Sequence, residues 1–241
     1  SADLTIVPTR WLKRQLTHRR IGVPPSALHT IHYGMDIDHF LTQYQSPSTG
    51  YIPSIEKGKT VFICPARLVP VKGHRYLLEA LAILKRKRDD FTCWIVGDGK
   101  LSDELFALAQ QLNIQDVVHF LGSRSDVPQL LAKSDVLILP SVQDNHPFSI
   151  MEAQVAGKLV VASTAGGIPE MIKHGVTGYL FPRKNSRALA DLLLYILTHP
   201  RESKMVARQG KAWGLRHWSP KTLLKNTKLI YHRALSRAGK G

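Results

Sequence analysis

Asp135-Val136-Leu137-Ile138-Leu139-Pro140-Ser141-Val142-Gln143-Asp144-Asn145-His146-Pro147-Phe148-Ser149-Ile150-Met151-Glu152-Ala153 is the stretch on which the reading of this chain turns. Its first part, Asp135 to Pro140, is an apolar run short and β-branched enough for a buried parallel strand. A polar Asp-Asn-His-Pro loop follows, and then a segment that reads as a helix and carries Glu152. Two carboxylates, Asp144 and Glu152, therefore flank a strand-to-helix junction. In doubly wound α/β folds ligands bind just outside the carboxyl ends of the strands, and the N–H groups that open the next helix suit phosphate. The backbone near Phe148 and Ser149 offers donors to phosphate, and the carboxylates offer acceptors to hydroxyls. A nucleotide with a polyhydroxy appendage matches these parts. On this stretch alone the alternative is a helix cap at Asp144 and a solvated helix residue at Glu152.

Outward from this point the pattern repeats. Val61–Ala66, Phe91–Val96, Val117–Leu121, Asp135–Leu139 and Leu159–Ala162 read as strands. They alternate with helices at His74–Lys87, Leu101–Leu112, Val127–Ala132 and Phe148–Ala156, which predicts βαβ units on a parallel sheet. A short helix over 168–173, a strand at Gly178–Phe181 and a helix at Ser186–Leu197 follow. The rest, from Arg201 to about Ser236, is helical and basic, with a break near Trp218-Ser219-Pro220. Ahead of the sheet, Ala2 to Pro8 reads as a strand and Thr9 caps a basic helix from Arg10 to about Arg20. Leu28–His32 is extended, Gly34 to Phe40 turn-rich, and Thr42 to Lys59 a linker.

The 241 residues carry a net charge of +15, a value that suggests nucleic acid until it is mapped. Residues 1–33 contribute +4, residues 34–200 only +1, and residues 201–241 the remaining +10. No recognition motif accompanies the charge, so no nucleic-acid partner is expected. Basic ends suit an anionic membrane surface, an acidic acceptor or simple solubility. Cys64 and Cys93 each fall in a predicted strand without ligand-like spacing and read as reduced core residues. No run approaches the roughly 18 apolar residues of a membrane span. A cytoplasmic protein is expected, peripheral on the inner face of the membrane if the basic ends bind lipid.

Each strand end carries something a nucleotide can use. The first leads into Arg67-Leu68-Val69-Pro70-Val71-Lys72-Gly73, which sets two cations where a diphosphate would lie; Arg grips phosphate with a planar fork and Lys adds a point charge. The second ends in Gly97-Asp98-Gly99, which permits close backbone approach, the third in Leu121-Gly122-Ser123-Arg124, and the fifth in Ala165-Gly166-Gly167-Ile168-Pro169-Glu170.

In this order, and together with Phe120-Leu121-Gly122 and Gly175-Val176-Thr177-Gly178, these motifs closely resemble the C-terminal, donor-binding domain of the retaining GT-B glycosyltransferases of the group 1 type. The resemblance runs from Ala2 to Tyr231. It implies a doubly wound, Rossmann-like sheet and a transferase that moves a sugar from a nucleotide diphosphate to an acceptor with retention, in cell-surface polysaccharide, lipopolysaccharide or glycolipid synthesis. Arg67 and Lys72 would hold the diphosphate and stabilise the charge that builds on it as the bond breaks. Glu152 would accept the ribose hydroxyls. Asp144 stands where the family usually has Glu, on the donor sugar, and Asn145 stands where it usually has Gly. The backbone from Asn145 through His146, Pro147 and Phe148 to Ser149 would approach sugar and phosphates, with Gly97 beside them, and the backbone near Arg124 would read the base. No cofactor and no metal is expected.

By the same resemblance, residues 1–41 correspond to the end of an acceptor-binding domain and its hinge, 42–59 to a linker, 60–199 to the donor domain and 200–241 to helices that pack back on the acceptor domain, with Trp213, Trp218 and Tyr231 among them. A fragment of a longer transferase, inactive without its acceptor domain, is the expectation, with some apolar surface left uncovered. A non-catalytic nucleotide-sugar binding module is the alternative, since Asp144 is one methylene shorter than Glu.

Overall fold

The computed structural model describes residues 4–18 and 23–238. Ala2 and Asp3 of the expected first strand, and Arg19 and Arg20 at the end of the expected first helix, lie outside them. Strand β1 (Thr5–Val7), helix α1 (Arg10–His18) and strand β2 (Leu28–Thr30) form a small parallel unit. Helix α2 (Ile37–Gln45) occupies ground that the sequence suggests is turn and linker. Two facts account for the difference. The Asp36 carboxylate accepts the His39 N–H at 3.0 Å as an N-cap, and Ile37 and Phe40, three residues apart, bury their side chains against the main core. The irregular connection is therefore residues 46–59.

The main sheet contains β3 (Thr60–Pro65), β4 (Phe91–Val96), β5 (Val118–Phe120), β6 (Val136–Leu139), β7 (Leu159–Ser163) and β8 (Tyr179–Phe181). Between them run α3 (His74–Lys85), α4 (Ser102–Gln111), α5 (Val127–Lys133) and α6 (Phe148–Ala156). All pairings are parallel, in the order β5-β4-β3-β6-β7-β8. Counted from β3 this is 3-2-1-4-5-6, the doubly wound order whose direction reverses between its first and fourth strands. A crevice opens at the carboxyl ends of β3 and β6, where successive crossovers leave toward opposite edges.

Period-two burial on both faces holds the layers together. Phe62, Cys64, Cys93, Ile138 and Val161 face the layer of α3 and α4 and, after β8, α7 (Ser186–Thr198). Val61, Ile63, Trp94, Leu137 and Val160 face α2, α5 and α6. Each such side chain contributes about 1.5–3 kcal/mol when removed from water. The two cysteines are free and wholly buried, and burial pushes the Cys64 thiol up to about 12, so both act as small hydrophobes. The helix expected over 168–173 is a single 3-10 turn, Ile168–Glu170.

Helices α8 (Pro200–His217) and α9 (Pro220–Ala238) close the chain. At their break Trp218 is 1% exposed; its indole N–H donates to Gln154 Oε1 at 2.6 Å, and its carbonyl accepts the Met35 N–H at 2.9 Å. The C-terminal segment is thereby fastened to both α6 and the N-terminal segment. Trp213 instead stacks on His217, and Tyr231 stands exposed with Leu224, Leu229 and Leu235. Among the described residues no helix is long and apolar enough to cross a membrane.

Candidate functional site

Four strand ends supply one cavity of about 490 Å³ at the reversal point. Pro65, Ala66 and Arg67 follow β3, with Lys72 a turn further on; Val96 and Gly97 close β4; Ser123 and Arg124 follow β5; His146 to Ser149 and Glu152 lead into and line α6. A Cβ on Gly97, whose φ is +140°, would run into the Ala66 carbonyl, so only glycine lets the β3 and β4 ends close around the cavity floor. The N-cap position of α6 is Pro147, which offers no side-chain cap. Its opening N–H groups at Phe148 and Ser149 therefore border the cavity as an uncapped helix start, the geometry that receives phosphate.

All the residues singled out from the sequence line this cavity except Asp144 and Asn145. The Asp144 carboxylate instead reaches Lys72 Nζ at 2.6 Å and also accepts the Ser141 hydroxyl and the Asn145 N–H, each at 3.0 Å. Asp144 is thus neither a helix cap nor a wall of the cavity. It is the counter-ion of one of the two cations, and the Lys72 charge is already partly matched. Arg67 is exposed at the cavity rim. Asn145 accepts the Thr9 hydroxyl through Oδ1, which links the loop to the start of α1. A side chain on Gly166 or Gly167 would strike the carbonyls of Asp144 and Asn145, so the paired glycines let this loop lie flat on the end of β7.

Glu152 faces the cavity half-buried, and burial raises its carboxyl above the ordinary range. Hydroxyl donors would repay the ionised form by solvating it. His146 is 5% exposed and packs its ring between His32, at 5.3 Å, and the edge of Trp218, at 5.2 Å, with Tyr33 on another side at 5.4 Å. Neither of its ring nitrogens has a hydrogen-bond partner among the described residues, and burial brings its pKa down to about 4. It forms a neutral apolar wall joined to His32, Tyr33 and Trp218, with the nitrogens enclosed. Phe148, half out in solvent, stacks on Tyr33 at 5.8 Å.

Arg124 has its guanidinium fully engaged. It grips both oxygens of Asp126 at 2.7 Å and donates to the Tyr51 carbonyl at 2.7 Å, so it pins the 46–59 connection beside β5. The pairing holds the Asp126 carboxyl well below the usual carboxylate range. Ser123 and Arg124 both line the cavity.

The sequence alone did not show several contacts that shape this region. Glu170 accepts the N–H groups of Arg10 and Trp11, at 2.8 and 2.6 Å, and so caps α1 from 160 residues away. Ala66, Val96, Ser123 and Val127 complete the cavity wall, and their only signal in the sequence is their place at strand ends and helix starts. Among the described residues no three His, Cys, Asp or Glu side chains converge as ligands for a metal.

With this geometry in hand, the comparisons with known proteins are specific. Residues 52–213 match the family model for glycosyl transferases group 1. The chain is 34% identical over 137 residues to the amylovoran biosynthesis glycosyltransferase AmsK of Erwinia amylovora, a span of 54% of this chain and 34% of that one. It is 32% identical over 182 residues to a D-inositol 3-phosphate glycosyltransferase of Mycobacterium sp. (strain JLS), which covers 74% of this chain and 41% of that one. The structure of Anabaena Alr3699/HepE in complex with UDP and glucose superposes with a TM-score of 0.82 at 27% identity, over 96% of this chain and 64% of that one. The chain spans about a third to a half of the length of the curated relatives it matches.

Proposed function

Because the chain belongs to the group 1 glycosyl transferases, we propose that its cavity at the reversal point binds a nucleotide-diphosphate sugar and that the protein transfers the sugar to an acceptor, in polysaccharide, lipopolysaccharide or glycolipid synthesis. The observation that carries the reading is the convergence of Arg67, Lys72, the α6 start and Glu152 on one cavity at the carboxyl ends of the strands. A diphosphate between Arg67, Lys72 and the Phe148 and Ser149 N–H groups meets three kinds of positive end at once. As the bond between sugar and phosphate lengthens, negative charge grows on the departing phosphate, and donors fixed before the reaction stabilise that charge without reorganising. Glu152 accepts the ribose hydroxyls, and the base lies along the Gly97 and Ser123–Arg124 backbone.

Arg67 and Lys72 take the charge-neutralising role in this reading, so turnover is expected to survive a chelator such as EDTA. Retention at the anomeric carbon belongs to the same proposal and is read from the product by NMR. Isothermal titration with UDP, GDP and ADP tests the donor site. At least one nucleotide is expected to bind, and Arg67→Ala should weaken it by about 1.5–3 kcal/mol, the range for a hydrogen bond to a charged group. Failure of all three nucleotides to bind the unsubstituted chain would overturn the proposal.

A further inference from the structure

A second cavity, of about 460 Å³, lies at the same carboxyl edge of the sheet, bounded by the β6, β7 and β8 ends and by α1. The Asp144–Asn145 loop separates it from the first: Lys72, the partner of Asp144, lines one cavity, and Asn145 lines the other. Its walls carry an indole from Trp11, side-chain amides from Gln15, Gln143 and Asn145, and the exposed guanidinium of Arg183. Among the described residues no carboxylate lines it.

Resting on the donor reading above, we infer that this second cavity is an acceptor subsite for an anionic sugar, a sugar phosphate or a uronate. The chemistry of the walls selects that class. An indole presents a flat apolar face to the C–H side of a pyranose, and amides donate to and accept from its hydroxyls. A guanidinium matches a phosphate or carboxylate with a planar fork. Among the described residues the Arg183 guanidinium makes only a long 3.5 Å bond to the Val142 carbonyl, while its backbone N–H donates to the Thr164 hydroxyl at 3.4 Å, so its side-chain donors are available to a ligand. Trp11, by contrast, is set in place because Glu170 receives its backbone N–H at 2.6 Å. The loop between the cavities would put such an acceptor next to the donor sugar. The subsite also accounts for residues that the donor site leaves unused, namely Gln143, Gly166 and the Trp11, Leu12, Gln15 and Leu16 face of α1.

The test follows the Trp11 indole N–H resonance in the whole chain, assigned with Trp11→Phe, while glucose, glucose 6-phosphate, glucuronate and UDP are titrated separately. The signal of the fully buried Trp94 reports that each variant is folded. Glucose 6-phosphate or glucuronate is expected to move the Trp11 signal at millimolar concentration and glucose less so. UDP should leave the Trp11 signal in place and should not compete. Arg183→Gln should weaken the anionic sugars about ten-fold or more while UDP binding stays unchanged. A Trp11 signal indifferent to every anionic sugar, a response that survives Arg183→Gln, or displacement of the sugars by UDP overturns the subsite. Loss of UDP binding alone, with the Trp11 response intact, overturns the donor reading and the acceptor role that rests on it, but not the anionic-sugar site.

Discussion

The ion pair between Lys72 and Asp144 gives a prediction in which stability and nucleotide binding move separately. Its two side chains are 20% and 13% exposed, and Asp144 keeps two further donors, the Ser141 hydroxyl and the Asn145 N–H. Stripping a buried ion pair of one partner costs about 3–5 kcal/mol. Here the remaining donors and the partial exposure should reduce the cost of Lys72→Met to about 2–3 kcal/mol, and Met retains the stem's packing. For Asp144→Asn the cost should be nearer 1 kcal/mol, because the ammonium can swing toward water in the cavity. The double substitution should cost less than the sum of the two by about 1–2 kcal/mol, the coupling energy of the pair. In a chain of this length about 2 kcal/mol shifts the melting temperature by roughly 4–8 °C, well within calorimetric resolution. UDP titration supplies the other half. Lys72→Met should weaken UDP about ten-fold or more, whereas Asp144→Asn, which frees the ammonium and removes a like charge from the diphosphate, should tighten it several-fold. Strict additivity in the calorimeter, or a loss of UDP affinity in Asp144→Asn equal to that in Lys72→Met, would refute the reasoning.

Glu152, whose carboxyl is raised by burial, adds most to stability when protonated and opposes folding as pH rises past its folded pKa. Glu152→Gln should therefore raise the melting temperature at pH 7 more than at pH 4 and should still weaken UDP, a separation seen by running the same variant through both assays. His74 and His146 are both pushed down to about 4 by burial, against about 6.5 in an unfolded chain. The unfolded state then binds more protons between those values. Stability should be intact above about pH 6.5 and fall toward pH 4 by roughly 3 kcal/mol per histidine, and His146→Phe should remove about one proton from the slope in acid titrations followed by circular dichroism. Arg124→Ala should release the 46–59 connection, and mass spectrometry of a brief tryptic digest should show cleavage at Lys57 several-fold faster than in the unsubstituted chain.

How far the sequence could be read depended on the range of the forces involved. The central strands of the main sheet are legible because they are largely apolar runs between turn residues, buried on both faces, as at Val136–Leu139. Arg67, Lys72 and Glu152 are legible because a strand end announces where a side chain will lie. Helix α2 is not: Gly34-Met35-Asp36 looks like a turn, and the decision for a helix comes from burial of Ile37 and Phe40 beneath residues far along the chain. Nor does spacing reveal that Asp144 turns to Lys72, 72 residues away, or that Glu170 caps α1, because both contacts exist only after the crossovers have formed. Arg124 and Asp126 stand two residues apart, yet nothing in that spacing shows that they pair or that the guanidinium also reaches the Tyr51 carbonyl.

The most direct test of the central claim is a crystal structure of the chain soaked with a nucleotide-diphosphate sugar. The phosphates are expected between Arg67, Lys72 and the N–H groups of Phe148 and Ser149, with the ribose hydroxyls on Glu152. Phosphates bound away from Arg67 and the α6 start, or a ribose with no contact to Glu152, would contradict it.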